Sequence, residues 1–327
     1  MPDVITLGEI LVDFVATVSG VSLEDAPAFK KAPGGAPANV AAALVRLGVS
    51  AGFMGKVGDD PFGRFLVRTL RALGVDTTAV RWCGVDTTAV RWCGEARTAL
   101  AFVSLRADGE RDFMFYRHPS ADMLYSPDEV DRAYIRGAKV FHFGSISLIG
   151  EPSRSATLLA AQTARDAGLV VSYDPNLRLT LWPSADAARE GILQGWRLAH
   201  VVKVSEEERT FLGGEGAEAA RHLWHEGLRL LVITRGRAGC SYVTPATRGD
   251  VPGFSVRTVD TTGAGDGFVA GMLKGLLQTP HAWDDEARLR EVLRYANAVG
   301  ALATTRRGAI PAMPTPRQVE RLMGGRR

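Results

Sequence analysis

Lysine is scarce in this chain: its 327 residues carry six lysines against 33 arginines. With 36 acidic residues interspersed the formal net charge is only +3, and no run of five or six like charges occurs. Such a chain lacks the continuous basic stripe of a nucleic-acid binder, so its charges read as solvated surface. Cysteine is scarce as well. Cys83, Cys93 and Cys240 form neither a disulfide framework nor a metal-ligand spacing. The first residues, Met1-Pro-Asp-Val-Ile-Thr-Leu-Gly-Glu9, contain acids and no basic segment, so no signal peptide is expected. No uncharged apolar run reaches the ~18 residues of a membrane span. The expectation is a soluble, cytoplasmic chain in a reducing compartment, with no nucleic-acid and no membrane partner.

What is present is close to the globular average, 46% hydrophobic and 23% charged. The length allows one large domain or two modest ones, at roughly 100–200 residues per domain. One feature bears on the length itself. Gly74-Val-Asp-Thr-Thr-Ala-Val-Arg-Trp-Cys83 recurs unchanged as Gly84 to Cys93. A single tandem copy is no solenoid, which needs at least three units of ~20–50 residues. The repeat over 74–93 reads as a local insertion, one copy continuing the chain's path and the other forming an extra loop or a longer hairpin.

The apolar pattern sets the organisation. Residues 4–8 and 10–18 read as strands, and Pro33-Gly34-Gly35-Ala36-Pro37 is a breaker cluster expected to be loop. A small-residue helix follows Asn39, then a strand over 52–57 and a helix over 61–73. Residues 98–105 and 111–116 flank Asp108-Gly109, a strong hairpin signal. From about residue 139, apolar runs at 140–143, 169–173, 200–204 and 230–234 alternate with helical stretches such as 152–167 and 185–198. That rhythm implies a parallel sheet with helices on both faces. Helices over 264–277 and 285–305 follow.

The sharpest chemical feature is Asp260-Thr-Thr-Gly-Ala-Gly-Asp266, placed between a strand-like segment at 254–259 and an amphipathic helix. The amides of Gly263, Ala264, Gly265 and Asp266 would stand unpaired at that helix N-terminus, where the helix dipole favours an anion. A phosphate site gains nothing from the Asp266 carboxylate beside it, whereas a base taking a proton from an attacking hydroxyl belongs there. Asp266 as a simple helix cap is the competing reading, and the residues alone do not separate the two. Gly265-x-Gly267-x-x-Ala270 fits a dinucleotide fingerprint only formally, because no strand precedes the acids at 284–286. Gly55-Lys56 lacks the glycine and the hydroxyl residue of a Walker A loop.

The 260–266 segment resembles the C-terminal signature of the ribokinase-type (PfkB) carbohydrate kinases. Gly34-Gly35-Ala-Pro-Ala-Asn39, with Gly48, Gly55 and Gly58 downstream, resembles their N-terminal signature. Phe141-His-Phe-Gly-Ser-Ile-Ser-Leu-Ile149, Ser172-Tyr-Asp-Pro-Asn-Leu-Arg178 with Leu181-Trp182, and Phe113-Met-Phe-Tyr-Arg-His-Pro-Ser-Ala-Asp-Met-Leu124 resemble the fructokinase branch. The resemblance runs from about residue 3 to 316. It implies an α/β, ribokinase-like fold: a doubly wound, mostly parallel sheet with helices on both faces, and a small β-sheet lid. The whole of 1–327 would be one kinase domain, its lid discontinuous over about 11–34 and 94–118.

The resemblance also assigns roles. Asp266 matches the general base that deprotonates the sugar hydroxyl, with Gly263, Ala264 and Gly265 as the anion hole. Asp13, Gly34, Gly35 and Asn39 match sugar-binding positions, although Asp13 as a strand-end turn and Asn39 as a helix N-cap are the readings the residues alone favour. Arg117 and Arg178 are candidates for specificity or phosphate contacts; Arg117 also reads as a solvated strand residue. Thr234, Gly236 and Gly239 resemble the nucleotide loop, and otherwise a hairpin turn, while Asn297 falls in the segment lining the adenine pocket. Glu208 matches the acid that orients Mg²⁺ through water, but Ser205 stands where the family usually carries Asn, and Ser205-Glu-Glu-Glu208 is also a helix capping box. Asp260, Thr262, Ala303 and Gly308 fall where relatives place K⁺. The implied activity is ATP-dependent phosphorylation of D-fructose to fructose 6-phosphate, with ATP and Mg²⁺ and a homodimer through the lid. A kinase for 2-keto-3-deoxygluconate and an inactive scaffold or regulator are the alternatives.

Overall fold

Short apolar runs that are buried on both sides build the centre of the molecule. The computed structural model describes residues 1–73, 80–83, 96–105, 111–214 and 223–324. Thirteen strands are formed there: β1 (Val4–Leu7), β2 (Leu11–Ala16), β3 (Phe29–Gly34), β4 (Ala51–Gly58), β5 (Val80–Cys83), β6 (Leu100–Leu105), β7 (Arg111–Tyr116), β8 (Val140–Gly144), β9 (Val170–Asp174), β10 (Val201–Ser205), β11 (Leu230–Thr234), β12 (Gly239–Val243) and β13 (Arg248–Pro252). Nine of them make one sheet in the order β13-β12-β11-β10-β9-β8-β1-β4-β5. Pairing is parallel from β5 to β11, and antiparallel where β12 and β13 extend the edge.

Side-chain alternation divides the core in two. Val4 and Val140 pack with α1 (Ala36–Arg46), and that core continues through α2 (Pro61–Ala72). Ile5, Leu7, Phe141 and Phe143 face the opposite way, where α3 (Arg132–Arg136), α4 (Ser153–Asp166) and α5 (Ala185–Trp196) cover them, with α6 (Glu206–Gly213) beside them. On the first face α7 (Ala264–Gln278) and α8 (Glu286–Ala303) complete the layer, and α9 (Pro316–Gly324) closes it through Val319. The chain moves outward from β1 to β4 and β5, then returns to β8 on the other side of β1. In an open parallel sheet such a reversal opens a crevice at the strand carboxyl ends.

The other four strands form a separate sheet in the order β3-β2-β6-β7. One of its faces packs on the main body, with Phe14 edge-on to Phe62 of α2 and stacked on Phe102. Asp108-Gly109 lies outside the described residues, as does the second repeat copy; Val80–Cys83 of the first copy pairs with Gly55–Gly58 as a sheet strand.

Two local expectations are corrected. The breaker cluster is not loop: Pro33 and Gly34 end β3, and Ala36 and Pro37 already belong to α1, because a proline in the first helical turn gives up no intrahelical bond. Residues 254–259 form no strand. Instead the amides of Val259 and Asp260 both donate to Thr304 O just beyond α8, at 2.8 and 3.1 Å, which hangs the glycine turn from a helix end. The hairpin β12–β13 was not expected, since its alternation is short and interrupted by glycine and proline.

Candidate active site

The glycine turn at 263–265 is built for close approach. Gly263 caps α7 with φ 76°, a left-handed conformation that favours glycine, and a Cβ there would lie 2.8 Å from Ala309 Cβ. The first helical bond runs from Gly267 N to Gly263 O at 2.8 Å. The amides of Gly263 to Asp266 therefore precede the helical ladder. That of Ala264 turns back to Thr261 O at 3.2 Å, so it is partnered, contrary to expectation.

Asp266 is the third residue of α7 and is only 8% exposed. It caps nothing. Its Oδ2 accepts from Asn39 Nδ2 at 2.8 Å. Burial pushes its carboxyl up to about 6; Asp174 adds to the rise, while the Asn39 bond, Lys203 and Arg178 oppose it. Asn39 is likewise no N-cap: Gly35 occupies that place with φ 102°, and Asn39 N donates to Gly35 O at 2.9 Å inside the first turn of α1. Asn39 Oδ1 is buried with no hydrogen-bond partner among the described residues.

Asp13 stands inside β2, opposite Ala32 and Ala101, rather than at a strand end. A Cβ on Gly34 would overlap Asp13 Oδ2, and one on Gly35 would overlap the Glu9 carbonyl. The sugar-position candidates thus cluster where β2, β3 and α1 meet, and Asn39 ties them to Asp266.

Opposite them, β9 and β10 contribute a buried ion pair, Lys203 Nζ to Asp174 Oδ2 at 3.0 Å. Sequence reasoning assigned Lys203 no role, although a lone cation in the apolar run Val201-Val-Lys-Val204 was a usable signal. Glu208 Oε1 accepts from Leu177 N at 2.6 Å and Oε2 from Ser205 N at 2.7 Å, while Ser205 Oγ accepts from Glu208 N at 3.1 Å. The capping box is real, and Glu208 also moors the loop that carries Arg178. Arg178 Nη1 donates to Leu177 O at 3.0 Å, and its charge reaches Asp266.

Arg117 is not a solvated strand residue. It is 5% exposed and ion-paired with Asp122, which also accepts from Ser120 Oγ at 2.5 Å. Thr234 ends β11, and Gly236 and Gly239 bound the turn into β12, so this segment is a hairpin in structure. Asn297 Nδ2 is committed to Val251 O at 3.1 Å and Pro252 O at 3.2 Å. Asp260 gathers the last cluster: Oδ1 accepts from Thr262 N at 2.9 Å and Thr262 Oγ1 at 2.6 Å, and Oδ2 from Gly308 N at 2.8 Å. A Cβ built on Gly267 would lie 3.3 Å from Ala303 Cβ, so Ala303, the last residue of α8, borders the turn. Among the described residues, no group of three or more His, Cys, Asp or Glu side chains is placed to hold a metal ion directly.

Known proteins resemble this chain along nearly its whole length. Residues 1–316 match the pfkB family carbohydrate kinases. Probable fructokinase-4 of Arabidopsis thaliana is 56% identical over 325 residues, covering 98% of this chain and 97% of that protein. The crystal structure of fructokinase with bound ATP from Xylella fastidiosa superposes with a TM-score of 0.88 at 36% identity, over 99% of each chain. That of fructokinase from Vibrio cholerae O395 with fructose, ADP and calcium gives 0.85 at 34% identity, over 98% of each. The chain belongs to the pfkB family of carbohydrate kinases, and its fold is ribokinase-like.

Proposed function

We propose that the chain, as a pfkB-family kinase, transfers the γ-phosphoryl group of ATP to D-fructose and yields D-fructose 6-phosphate. The observation that carries this reading is the buried Asp266 carboxyl at the mouth of α7, beside amides that precede the helical ladder. With its carboxyl near 6, Asp266 is ionised at neutral pH yet basic enough to accept a proton. It takes the proton of the sugar 6-hydroxyl as that oxygen attacks the γ-phosphorus. The bond from the γ-phosphorus to the bridging oxygen breaks, and its electron pair leaves with ADP. The amides of Gly263, Gly265 and Asp266 stabilise charge gathering on the transferring group. Asn39 has one acceptor, Oδ1, without a partner among the described residues, which suits a sugar hydroxyl. Asp13, Gly34 and Gly35 supply the rest of a polyol site, and Arg178 supplies positive charge.

ATP would lie along the hairpin at Thr234, Gly236 and Gly239, with Asn297 bracing the neighbouring strand. Mg²⁺ would neutralise phosphate oxygens. Glu208 fits a role through water, since each oxygen accepts one amide and keeps a lone pair for a metal-bound water. The Asp260 cluster with Thr262, Ala303 and Gly308 is the proposed K⁺ site, its carbonyls gathered by the Asp260 bonds.

We assign the sheet β3-β2-β6-β7 as a lid over the sugar, continuous with the single kinase domain; closure would keep water from competing with the hydroxyl. Val15, Phe113, Met114 and Tyr116 leave apolar surface exposed on it, which supports a homodimer through the lid. Gel filtration with light scattering tests that. A cytoplasmic location is part of the proposal, supported by the need for ATP, and cell fractionation tests it.

The 2-keto-3-deoxygluconate reading gives Arg117 to the substrate carboxylate, and Arg117 is already paired with Asp122. An inactive scaffold would have no use for a buried base beside an anion site. Turnover of fructose, 2-keto-3-deoxygluconate, ribose and adenosine at equal concentration with MgATP decides the matter. Fructose should dominate; preference for the sugar acid, or no ADP from any of them, overturns the reading.

A further inference from the structure

Lys203 is more than a structural partner for Asp174. It sits 6% exposed in the middle of a parallel sheet, and burying an ammonium costs several kcal/mol unless the site compensates it. Asp174 supplies that compensation at 3.0 Å, yet two of the three ammonium donors have no protein acceptor among the described residues. Glu208, the second carboxylate near it, has both oxygens on backbone amides, and Asp266, the third, accepts from Asn39. The ammonium also lies against the anion turn: a Cβ built on Gly265 would come 3.2 Å from Nζ. Donors without acceptors therefore stand directly under the amides that precede the α7 ladder.

We propose that Lys203 donates to the γ-phosphoryl oxygens of ATP and holds the transferring group over Asp266, with Asp174 fixing the ammonium from behind. The inference rests on the kinase reading above and adds a group to it. Lys203 stays protonated throughout: burial alone would lower its proton affinity, but Asp174, Glu208 and Asp266 together hold it above the usual lysine value. No proton passes through it. The sugar proton goes to Asp266 and the electron pair to the ADP oxygen, so Lys203 contributes position and charge. Like Arg178 it brings positive charge to the buried carboxylate of Asp266, and a flexible ammonium suits a phosphoryl oxygen as a point charge.

Binding of ATP and of ADP, measured by calorimetry without sugar, isolates the γ-phosphoryl contact. In Lys203→Met, ATP affinity should fall about tenfold or more, the equivalent of one contact, while ADP affinity stays within about twofold. Turnover should fall ~100-fold or more, as for loss of a preorganised donor, with the fructose KM little changed, and Lys203→Arg should recover part of it. A purely structural role predicts equal weakening of ATP and ADP. That result, or turnover within tenfold of wild type, overturns the proposal. If the single variant does not fold, K203M/D174N removes the Lys203–Asp174 ion pair as a whole, and the same two outcomes decide. A wild-type protein that binds ATP but phosphorylates no fructose would sink the substrate reading alone, because the ATP-to-ADP comparison needs no sugar.

Discussion

Asn39 Nδ2 and Asp266 Oδ2 meet at 2.8 Å across 227 residues of chain, joining the first turns of α1 and α7. Two helix N-termini are thereby pinned against each other, one bordering the proposed sugar positions and the other the glycine turn. The donor is neutral and the acceptor ionised, so the bond favours the charged form of Asp266 and offsets part of its burial.

Asp266→Asn should leave ATP binding nearly intact and remove most turnover, about 10²-fold to 10⁴-fold for loss of a general base. Steady-state rates with nucleotide binding measured in parallel check this. Turnover within tenfold of wild type would make Asp266 a cap or a spectator.

The acid limb of kcat/KM should lie near pH 6, the pH at which the buried carboxyl of Asp266 takes up a proton. Removing the neutral donor with Asn39→Leu destabilises the ionised carboxyl, so the limb should move to higher pH. Arg178→Gln removes a positive charge acting on the same group and should move it in the same direction. A limb that stays in place in both variants would mean that another group controls the rate.

Gly34 and Asp13 meet at the proposed sugar site. A Cβ at Gly34 would overlap Asp13 Oδ2, the far end of a side chain that can swing aside, and Gly34 has no left-handed φ to strain. Gly34→Ala should therefore fold with a melting temperature near wild type and raise the fructose KM about tenfold, the equivalent of one disturbed charged hydrogen bond. Gly35→Ala is the contrast. Its Cβ would strike the Glu9 backbone at φ 102°, so it should lose stability by about 1–3 kcal/mol.

Much of this site was legible because its parts are local. The turn from Asp260 to Asp266 and the segment from Gly34 to Asn39 each declare a helix start with glycine where the backbone must stay bare. The apolar runs of β8 to β11 announce themselves because strands covered on both faces carry no polar alternation. What stayed hidden depends on distant residues. Nothing near Asn39 names Asp266, 227 residues further on, as its partner. Residues 254–259 look like a strand by composition, but Thr304 takes the two amides at their end. Tertiary pairing overrode the local preference.

Glu9 should make the protein less stable as pH rises. It is 2% exposed, accepts from Ala36 N at 2.8 Å, and burial pushes its carboxyl from 4.5 to about 7, against the pull of Arg117. The folded protein thus binds a proton that the unfolded chain has released. Stability from this group is complete below about 4.5 and declines until about 7, by on the order of 3 kcal/mol. Glu9→Gln keeps the acceptor and removes the titration, so its urea midpoint should exceed that of wild type at pH 8 and converge with it near pH 4.5. His142 and His200, both held neutral by burial, slope the other way in both proteins and cancel in the difference. A constant difference across that range would refute the assignment.

Asp60 fastens the small sheet to the large one. As N-cap of α2 its Oδ1 accepts from Phe62 N and Gly63 N at 2.9 and 2.8 Å and from Thr98 Oγ1 at 2.9 Å, while Oδ2 accepts from Thr98 N at 2.8 Å. Thr98 lies two residues before β6, so one carboxylate secures both a helix start and the root of a strand that runs beside Asp13. Burial opposes its ionisation, but the bonds from Thr98, Gly63 and Phe62 win and hold it below the usual 3.8. The stability it provides is therefore present above that value and is lost as pH falls through the folded pKa. Asp60→Ala strips the acceptor from every one of these donors and should cost about 2–4 kcal/mol at pH 7, the range for bonds to a charged group. The gap from wild type should narrow in denaturant melts at pH 3. Because the loosened root is on the side of the proposed sugar site, fructose KM should rise in Asp60→Ala while ATP affinity holds. An equal loss for both ligands would place the role of Asp60 in the fold alone.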